Sequence, residues 1–279
     1  MSKLRPSFAR AVRFCLIPGA LLSAQSTLAQ QELSIESEAF QETREIIVHL
    51  PENYDPASEE GYPVIYALDP DNPEEEPSGQ YDDAIARAAR DYHQAGIMPE
   101  AIVIGIRNIR RGLDFLPHYY SGERDGEQIA GNGDKTLAFI NDELIPYASE
   151  HFRANGQRVF MGHSWSGQFL AYTLSQSPGT FDAYFITSPA FARWKDRTFS
   201  ALEQTLEQGL GLPDFVYVSV GADEEATELE DYESLTSFFE QHLPEEVELH
   251  HEVNEGLNHD DNGLMSQPRA LKLYFQSLP

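Results

Sequence analysis

Residues 158–172 of the chain are Arg158-Val159-Phe160-Met161-Gly162-His163-Ser164-Trp165-Ser166-Gly167-Gln168-Phe169-Leu170-Ala171-Tyr172. The pattern predicts a short apolar strand, a sharp turn that carries one serine, and a helix. A serine hydroxyl with an ordinary pKa is a poor nucleophile, so it must stand clear of the backbone where an imidazole can take its proton. A strained strand-to-helix turn provides that position. Ser164 is therefore a candidate nucleophile; the alternative is an ordinary turn that contains a serine.

The residues that flank Ser164 are small, as a tight turn requires. Gly162 lies two positions before it and Ser166 two positions after it, with Gly167 one place later. The pattern is thus G-x-S-x-S in place of the usual G-x-S-x-G. Because serine is small, we expect the turn to form, but the partners of Ser164 must be found elsewhere in the chain.

The length and the charge of the chain restrict its function. Its 279 residues suffice for one large core. The sequence has 46 acidic and 19 basic residues, a formal net charge of -27. Such a field repels phosphate backbones and anionic lipid surfaces. We therefore expect a small-molecule substrate and no nucleic-acid partner, while the oligomeric state stays open.

The N-terminus has the layout of a secretory signal peptide. Basic residues precede an apolar run at 14–22, and small residues follow up to Ala29, after which we expect cleavage. The run is too short and too interrupted for a good membrane span; an uncleaved anchor is the alternative. Cys15 lies in the removed segment, so residues 30–279 have no cysteine. The sequence predicts a periplasmic or secreted protein, with 1–29 as signal peptide and 30–279 as a single domain.

Predicted strands and helices alternate along the rest of the chain. Strands are expected at 44–51, 62–69, 101–106, 158–163, 181–187, 215–221 and 247–253, and helices at 81–94, 135–152, 201–208, 232–243 and from 268, besides the one after Ser164. This alternation predicts an α/β fold with a mostly parallel central sheet and helices on both faces. A long loop is expected from Arg107 to about Gly133. Loops of that length are usually functional, so we expect this one to form a wall of the substrate pocket.

The partners of Ser164 follow it in the order nucleophile, acid, histidine that is usual in α/β-hydrolases. Active-site residues of parallel sheets gather at the carboxyl ends of strands. The penultimate predicted strand is followed by Asp223, Glu224 and Glu225, and the last one by His259. His259 would take the proton of Ser164, and one of the three acids, with Glu224 favoured, would orient its ring. The alternative for these groups is a solvated, charged surface.

The oxyanion of such a reaction needs backbone N–H donors. Trp165 follows the nucleophile, so its N–H is one candidate. The second donor should come from a loop after an earlier strand; there Pro70 has no N–H, so Asp71 is the better candidate. This mechanism needs no cofactor. We also expect no metal site, because His250 and His251 are adjacent on a strand and point to opposite faces.

Together these residues resemble the putative esterase family of the α/β-hydrolases, which includes enterochelin esterases, esterase D and mycolyltransferases. The matching motifs follow the family order and are Tyr62-Pro63-Val64-Ile65-Tyr66-Ala67-Leu68-Asp69, Arg111 with Asp114-Phe115-Leu116-Pro117, Glu143-Leu144-Ile145-Pro146-Tyr147, Gly162-His163-Ser164-Trp165, Ser188-Pro189, Gly221 to Glu224, and Gly256 to His259. The resemblance implies an α/β-hydrolase fold with Ser164, His259 and Glu224 as the catalytic triad. Two positions depart from the pattern, since Pro70 and Ser166 stand where the family has glycine.

Three arginines are clustered on the predicted loop. Siderophore esterases act on anionic ligands, and Arg107, Arg110 and Arg111 could bind an anionic group bidentately. The alternative is that Arg111 pairs with Asp114 and shapes the loop.

The sequence therefore predicts an exported serine esterase that hydrolyses a carboxylic ester through an acyl-enzyme. Export and the arginine cluster favour siderophore-type trilactone cleavage, as in enterochelin esterases. A feruloyl or acetyl carbohydrate esterase and an acyltransferase are alternatives on the same fold, whereas the signal peptide disfavours S-formylglutathione hydrolysis. A non-catalytic binding protein with a degraded triad is the rival from another class, supported only by the altered turn at Ser166.

Overall fold

Ten strands form in the part of the chain that the structure, a computed structural model, describes: residues 29–69, 81–108, 110–124, 127–191, 194–209 and 211–279. They are β1 (Ala29–Ser37), β2 (Glu42–Leu50), β3 (Tyr62–Leu68), β4 (Ile102–Ile106), β5 (Ser121–Arg124), β6 (Glu127–Ala130), β7 (Ala154–His163), β8 (Ala183–Thr187), β9 (Phe215–Gly221) and β10 (Glu248–Asn254). Eight of them make one sheet in the order β1-β2-β4-β3-β7-β8-β9-β10, and β5 pairs with β6 in a hairpin.

The sheet is parallel from β4 across to β10, and β1 and β2 run antiparallel at one edge. Parallel strands are normally covered on both faces, so they consist of continuous apolar runs. Every residue of β3, β4, β8 and β9 is buried. The predicted α/β fold with a mostly parallel sheet is confirmed.

Helices cover both faces of this sheet. They are α1 (Tyr81–Gln94), α2 (Arg111–Asp114), α3 (Gly133–Ala138), α4 (Ile145–His151), α5 (Trp165–Gln176), α6 (Lys195–Gln208), α7 (Ala226–His242) and α8 (His259–Ser277). Successive side chains of a strand point to opposite faces. Accordingly, Ile65 and Ala67 of β3 belong to the apolar cluster that includes α1 and α8, whereas Tyr66 and Leu68 belong to the cluster that includes α3, α5, α6 and α7.

The helix predicted at 135–152 is interrupted by a π-helical segment, Phe139–Leu144, between α3 and α4. Pro146 has no N–H and cannot continue the regular helical ladder. The N–H of Ile145 bonds instead to the carbonyl of Ile140, five residues back. The wider turn thus lies directly before the proline.

β1 and the start of α8 also differ from the sequence-based expectation. β1 was not expected, yet it pairs along its whole length with β2. α8 begins at His259, nine positions before the expected start at residue 268, so Pro268 lies inside the helix. Asn258 caps α8, because its side chain accepts a hydrogen bond from the N–H of Asp261 at 2.9 Å. His259 is therefore held at the first turn of a capped helix.

The segment predicted as a long loop contains α2 and the β5–β6 hairpin, and a buried ion pair fixes it to the sheet. Nη2 of Arg44, on β2, lies 2.8 Å from Oδ2 of Asp114, and both side chains are 2% exposed. The hydroxyl of Thr136 donates to the carbonyl of Asp114 at 2.7 Å. The guanidinium also lies over the ring of Phe40, 4.1 Å from its centroid. Asp114 is thus paired with Arg44, a residue to which the sequence had assigned no role.

Removing the charge of Arg44 is expected to destabilise the fold. In Arg44→Met the apolar volume is kept but the buried Asp114 carboxylate loses its ion pair with Arg44; breaking such a pair typically costs about 3–5 kcal/mol. Urea unfolding measures the change. The matched control is Arg87→Met, which breaks the half-exposed pair between Arg87 and Asp83 and should cost about 0.5 kcal/mol or less. Similar losses in the two variants would contradict the assignment.

Candidate active site

Ser164 lies at a sharp turn between β7 and α5, at the carboxyl end of the sheet. Its backbone has φ 60° and ψ -118°, and a positive φ is uncommon for a residue other than glycine. Backbone hydrogen bonds hold this conformation: the N–H of Ser164 donates to Thr187 O at 3.0 Å, and its carbonyl accepts from Gln168 and Ala190. The observed geometry is the strand-turn-helix arrangement that the sequence predicts around Ser164.

The turn is tightly packed around its glycines. A Cβ atom at Gly162 would lie 2.7 Å from the backbone carbon of Ser166, and one at Gly167 would lie 3.1 Å from Thr187 O. Real Cβ contacts are longer than the first of these distances. Glycine is therefore required at position 162, and the turn accommodates serine at position 166.

A carboxylate and an imidazole meet after the last two strands. Nδ1 of His259 lies 2.7 Å from Oε2 of Glu224, whose side chain is 0% exposed. The neighbouring Asp223 and Glu225 are exposed. Of the three acids considered from the sequence, the structure places Glu224 against His259.

The second oxygen of Glu224 is held by donors that sequence reasoning missed. Oε1 accepts hydrogen bonds of 2.6 Å from the hydroxyl of Ser188 and from the N–H of Gly221. Nδ2 of Asn262, one turn after His259 on α8, donates in turn to the Ser188 hydroxyl at 2.9 Å. The sequence signal for Ser188 was its position at the end of a strand, and Asn262 offered none. These contacts fix the rotamer of Glu224.

His259 is also close to the turn that carries Ser164. Its ring centroid lies 4.5 Å from that of His163, the residue directly before Ser164. The side chain of His259 remains 35% exposed, whereas His163 is buried. The structure therefore brings the imidazole, the buried carboxylate and the serine turn to one end of the sheet, with the imidazole open to solvent.

The environment of His259 raises the pKa of its imidazole above the ordinary 6.5. The hydrogen bond to Glu224 is the largest cause, because it stabilises the protonated ring. Burial acts in the opposite direction, and the negative charges of Glu224, Glu228 and Asp260 add to the increase.

This pKa sets an expected pH dependence. A general base must be neutral to accept a proton, so ester hydrolysis should fall as the pH drops through the pKa of His259. We expect the acidic limb of kcat/KM for a neutral ester to have a midpoint above 6.5, and to move to lower pH in Glu224→Gln. A rate profile measured from pH 5 to 9 checks both points, and a limb that does not move in the variant would contradict them.

Trp165 begins α5 and faces the segment predicted to border the pocket. Its side chain is 38% exposed. A Cβ atom at Gly112, in α2, would lie 2.9 Å from Cζ3 of the indole. The first N–H groups of a helix have no partner within the helix, so the N–H of Trp165 suits the role of oxyanion donor. The other candidate donor, Asp71, lies outside the described residues.

The three arginines have different surroundings. Arg107 lies 3.1 Å from Glu32 and 3.0 Å from Glu45, on β1 and β2, so a substrate would have to compete with two carboxylates. Arg110 is exposed, and substrate binding by its side chain stays a prediction. The side chain of Arg111 lies outside the described part of the structure.

The adjacent histidines of β10 point to opposite faces, as expected. His250 stacks on Phe215 with 5.1 Å between ring centroids, and His251 lies 3.1 Å from the hydroxyl of Tyr232. In the described part of the chain, no three histidine, cysteine or acidic side chains are grouped so as to hold a metal ion. Within the same residues, no helix has the length and apolarity of a membrane span.

An open, mostly parallel sheet covered by helices, with a serine on a strand-to-helix turn, defines the α/β-hydrolase class. The chain belongs to the family described as "Putative esterase", which matches residues 37–262. This is the family that the sequence motifs resembled.

One curated relative is the ferri-bacillibactin esterase BesA of Bacillus subtilis (strain 168), which is 27% identical over 146 residues. That match covers 47% of this chain and 48% of BesA, so the chain spans about half the length of this relative.

Several solved structures share the fold. The BES protein from Bacillus cereus is 21% identical with a TM-score of 0.74, over 91% of this chain and 97% of that one. An IroE-like serine hydrolase from Shewanella oneidensis is 22% identical with a TM-score of 0.74, over 88% and 80% of the two chains. The siderophore hydrolase EstA from Aspergillus nidulans is 18% identical with a TM-score of 0.72, over 94% and 99%.

Proposed function

We propose that the chain is an exported serine esterase that cleaves carboxylic esters through a Ser164–His259–Glu224 triad and an acyl-enzyme. The observation that carries the proposal is the 2.7 Å contact between His259 Nδ1 and the buried Glu224. A carboxylate bound to one imidazole nitrogen fixes the tautomer in which the other nitrogen can act as a base. The turn that carries Ser164 lies beside this imidazole.

In the proposed reaction, Oγ of Ser164 attacks the ester carbonyl carbon while Nε2 of His259 takes the hydroxyl proton. The N–H of Trp165 donates to the oxyanion of the tetrahedral intermediate. His259 then gives the proton to the departing alkoxide, which leaves as an alcohol. A water molecule, deprotonated by His259, hydrolyses the acyl-enzyme and restores the Ser164 hydroxyl.

For the substrate we propose a siderophore ester of the trilactone type. The ferri-bacillibactin esterase BesA and the siderophore hydrolase EstA are similar to this chain. The exposed Arg110 lies next to α2, the element that packs on Trp165. A guanidinium at that position would attract an anionic ligand into an otherwise acidic protein.

Export is part of the proposal, because the first 29 residues have the layout of a signal peptide. Residues 30–279 would then form the single mature domain. N-terminal sequencing of the protein recovered outside the cytoplasm is expected to begin at Gln30. An N-terminus upstream of residue 14, retained in the membrane fraction, would favour the uncleaved anchor.

A fluorophosphonate probe tests the nucleophile directly, since it reacts with activated serine hydroxyls. We expect one adduct per chain on the peptide that contains Ser164.

A panel of esters then tests the substrate: ferric and iron-free siderophore trilactones, a feruloyl ester and an acetylated sugar. The highest kcat/KM is expected for a trilactone. A maximum on the feruloyl or acetyl ester would favour a carbohydrate esterase, and no adduct with no turnover would favour a binding protein.

A further inference from the structure

The turn departs from the usual glycine at Ser166, and this side chain is fully buried. Its Oγ accepts a hydrogen bond from the N–H of His163 at 2.7 Å. The same atom lies 2.8 Å from the carbonyl of His163 and 2.7 Å from Oδ2 of Asp69. A hydroxyl has one proton to donate, and charged acceptors form the stronger bond. The proton of Ser166 therefore points to Asp69.

Asp69 is the residue that follows β3, and it is 8% exposed. Its second oxygen, Oδ1, accepts a 3.0 Å hydrogen bond from Nδ2 of Asn108, shortly after β4. Ser166 belongs to the first turn after β7, and β3 lies between β4 and β7 in the sheet. One buried carboxylate thus connects the carboxyl ends of three neighbouring strands.

The backbone of Asp69 needs such support. Its φ is 55°, a conformation that is uncommon outside glycine, although aspartate tolerates it better than most residues. Strained conformations persist only where the surrounding structure fixes them. Pro70 follows Asp69 in the sequence, and a proline restricts the backbone conformation of the residue before it. The hydrogen bonds that Ser166 and Asn108 donate to the Asp69 carboxylate help to hold this conformation.

We propose that Ser166 is a positioning residue, whose hydroxyl holds Asp69 and thereby aligns the end of β3 with the turn that carries Ser164. In α/β-hydrolases an oxyanion donor comes from the chain that follows this strand. Asp69 is the last described residue before that chain, so its alignment with the turn of Ser164 would affect the stabilisation of the transition state. The inference rests on the proposed esterase function. It implies that the more usual glycine at position 166 lowers activity even though it fits the turn.

The test measures kcat and KM for p-nitrophenyl acetate with the full chain carrying Ser166→Ala, Ser166→Gly or Asp69→Asn. Asparagine keeps the tolerance for positive φ but turns one of the two acceptors into a donor. We expect each change to lower kcat about tenfold with KM within about twofold, because small displacements at the reacting centre reduce the rate more than they reduce binding. Affinity for a boronic acid, which mimics the tetrahedral intermediate, should fall in parallel.

The coupling between Asp69 and Ser166 tests the proposal more directly than the single variants do. In the variant that combines Asp69→Asn with Ser166→Ala, kcat should lie within about twofold of the slower single variant, because both changes act on the hydrogen bond between these two side chains. The matched control is Ser175→Ala, which deletes another buried serine hydroxyl from α5, bonded to Tyr172 O at 2.7 Å. This control should keep the wild-type kcat at a similar melting temperature.

Losses that multiply in the double variant, a Ser166→Ala kcat within about twofold of wild type, or an increase in KM alone would overturn the inference. These outcomes are distinct from failure of the proposed function. That failure would appear as unchanged turnover in Ser164→Ala, whereas any of the three outcomes above overturns the inference alone when Ser164→Ala is inactive.

Discussion

Ser164→Ala is expected to lower kcat for p-nitrophenyl acetate by about 10⁴-fold or more, because the variant has no oxygen to attack the carbonyl. The backbone bonds of Ser164 to Thr187, Gln168 and Ala190 do not involve its side chain and remain possible in alanine. The turn should therefore persist, and KM should change little. Residual activity would report stabilisation by the backbone N–H groups alone.

Fluorophosphonate labelling and a thermal melt separate this result from unfolding. The alanine variant should melt close to the wild-type temperature and take up no probe. Equal turnover by the wild type and Ser164→Ala would refute the assigned nucleophile and favour the binding-protein alternative.

Glu224→Gln is expected to lower kcat on the order of 10³- to 10⁴-fold, by analogy with amide replacements of the acid in other triads. The carboxylate accepts from His259 through one oxygen and from Ser188 and Gly221 through the other. An amide has one oxygen and one NH₂ group, so it cannot accept at both positions. If the amide oxygen stays with Ser188 and Gly221, the NH₂ group faces Nδ1 and favours the wrong imidazole tautomer.

Two neighbours provide matched controls for this change. Asp223→Asn and Glu225→Gln remove the same type of charge from exposed positions on either side, and each should leave kcat within about twofold of the wild-type value. A larger loss in Asp223→Asn than in Glu224→Gln would reassign the triad acid.

The site shows where sequence reasoning reaches its limit. Strand order and the position of acids after a strand were sufficient to indicate three candidates for the partner of His259. Choosing among Asp223, Glu224 and Glu225 requires knowing which side chain turns inward, and that depends on the bend of the chain after β9. The Ser188 hydroxyl and the N–H of Gly221, which make the inward direction favourable, are recognisable only in three dimensions.

The differences between the predicted and the observed elements of the fold have identifiable causes. β1 carries two large apolar residues at alternate positions, Leu33 and Ile35, within an otherwise mostly polar segment. Such a strand forms because β2 offers an edge, so tertiary context outweighs weak propensity. α8 begins nine positions before the expected residue 268, because Asn258 caps the helix at His259. The pairing of Arg44 with Asp114 joins residues 70 positions apart, and no local pattern predicts it.

β10, the strand that precedes His259, forms one edge of the sheet. Among the strands that the structure describes, β10 pairs only with β9, so one side of its backbone has no strand partner there. Alternate positions along it carry Glu248, His250 and Glu252, and Arg269 bonds to Glu252 at 2.7 Å. Polar and charged side chains along a border of this kind discourage two molecules from joining their sheets edge to edge. The protein is thereby protected, at that border, from growing into ribbons when it is concentrated.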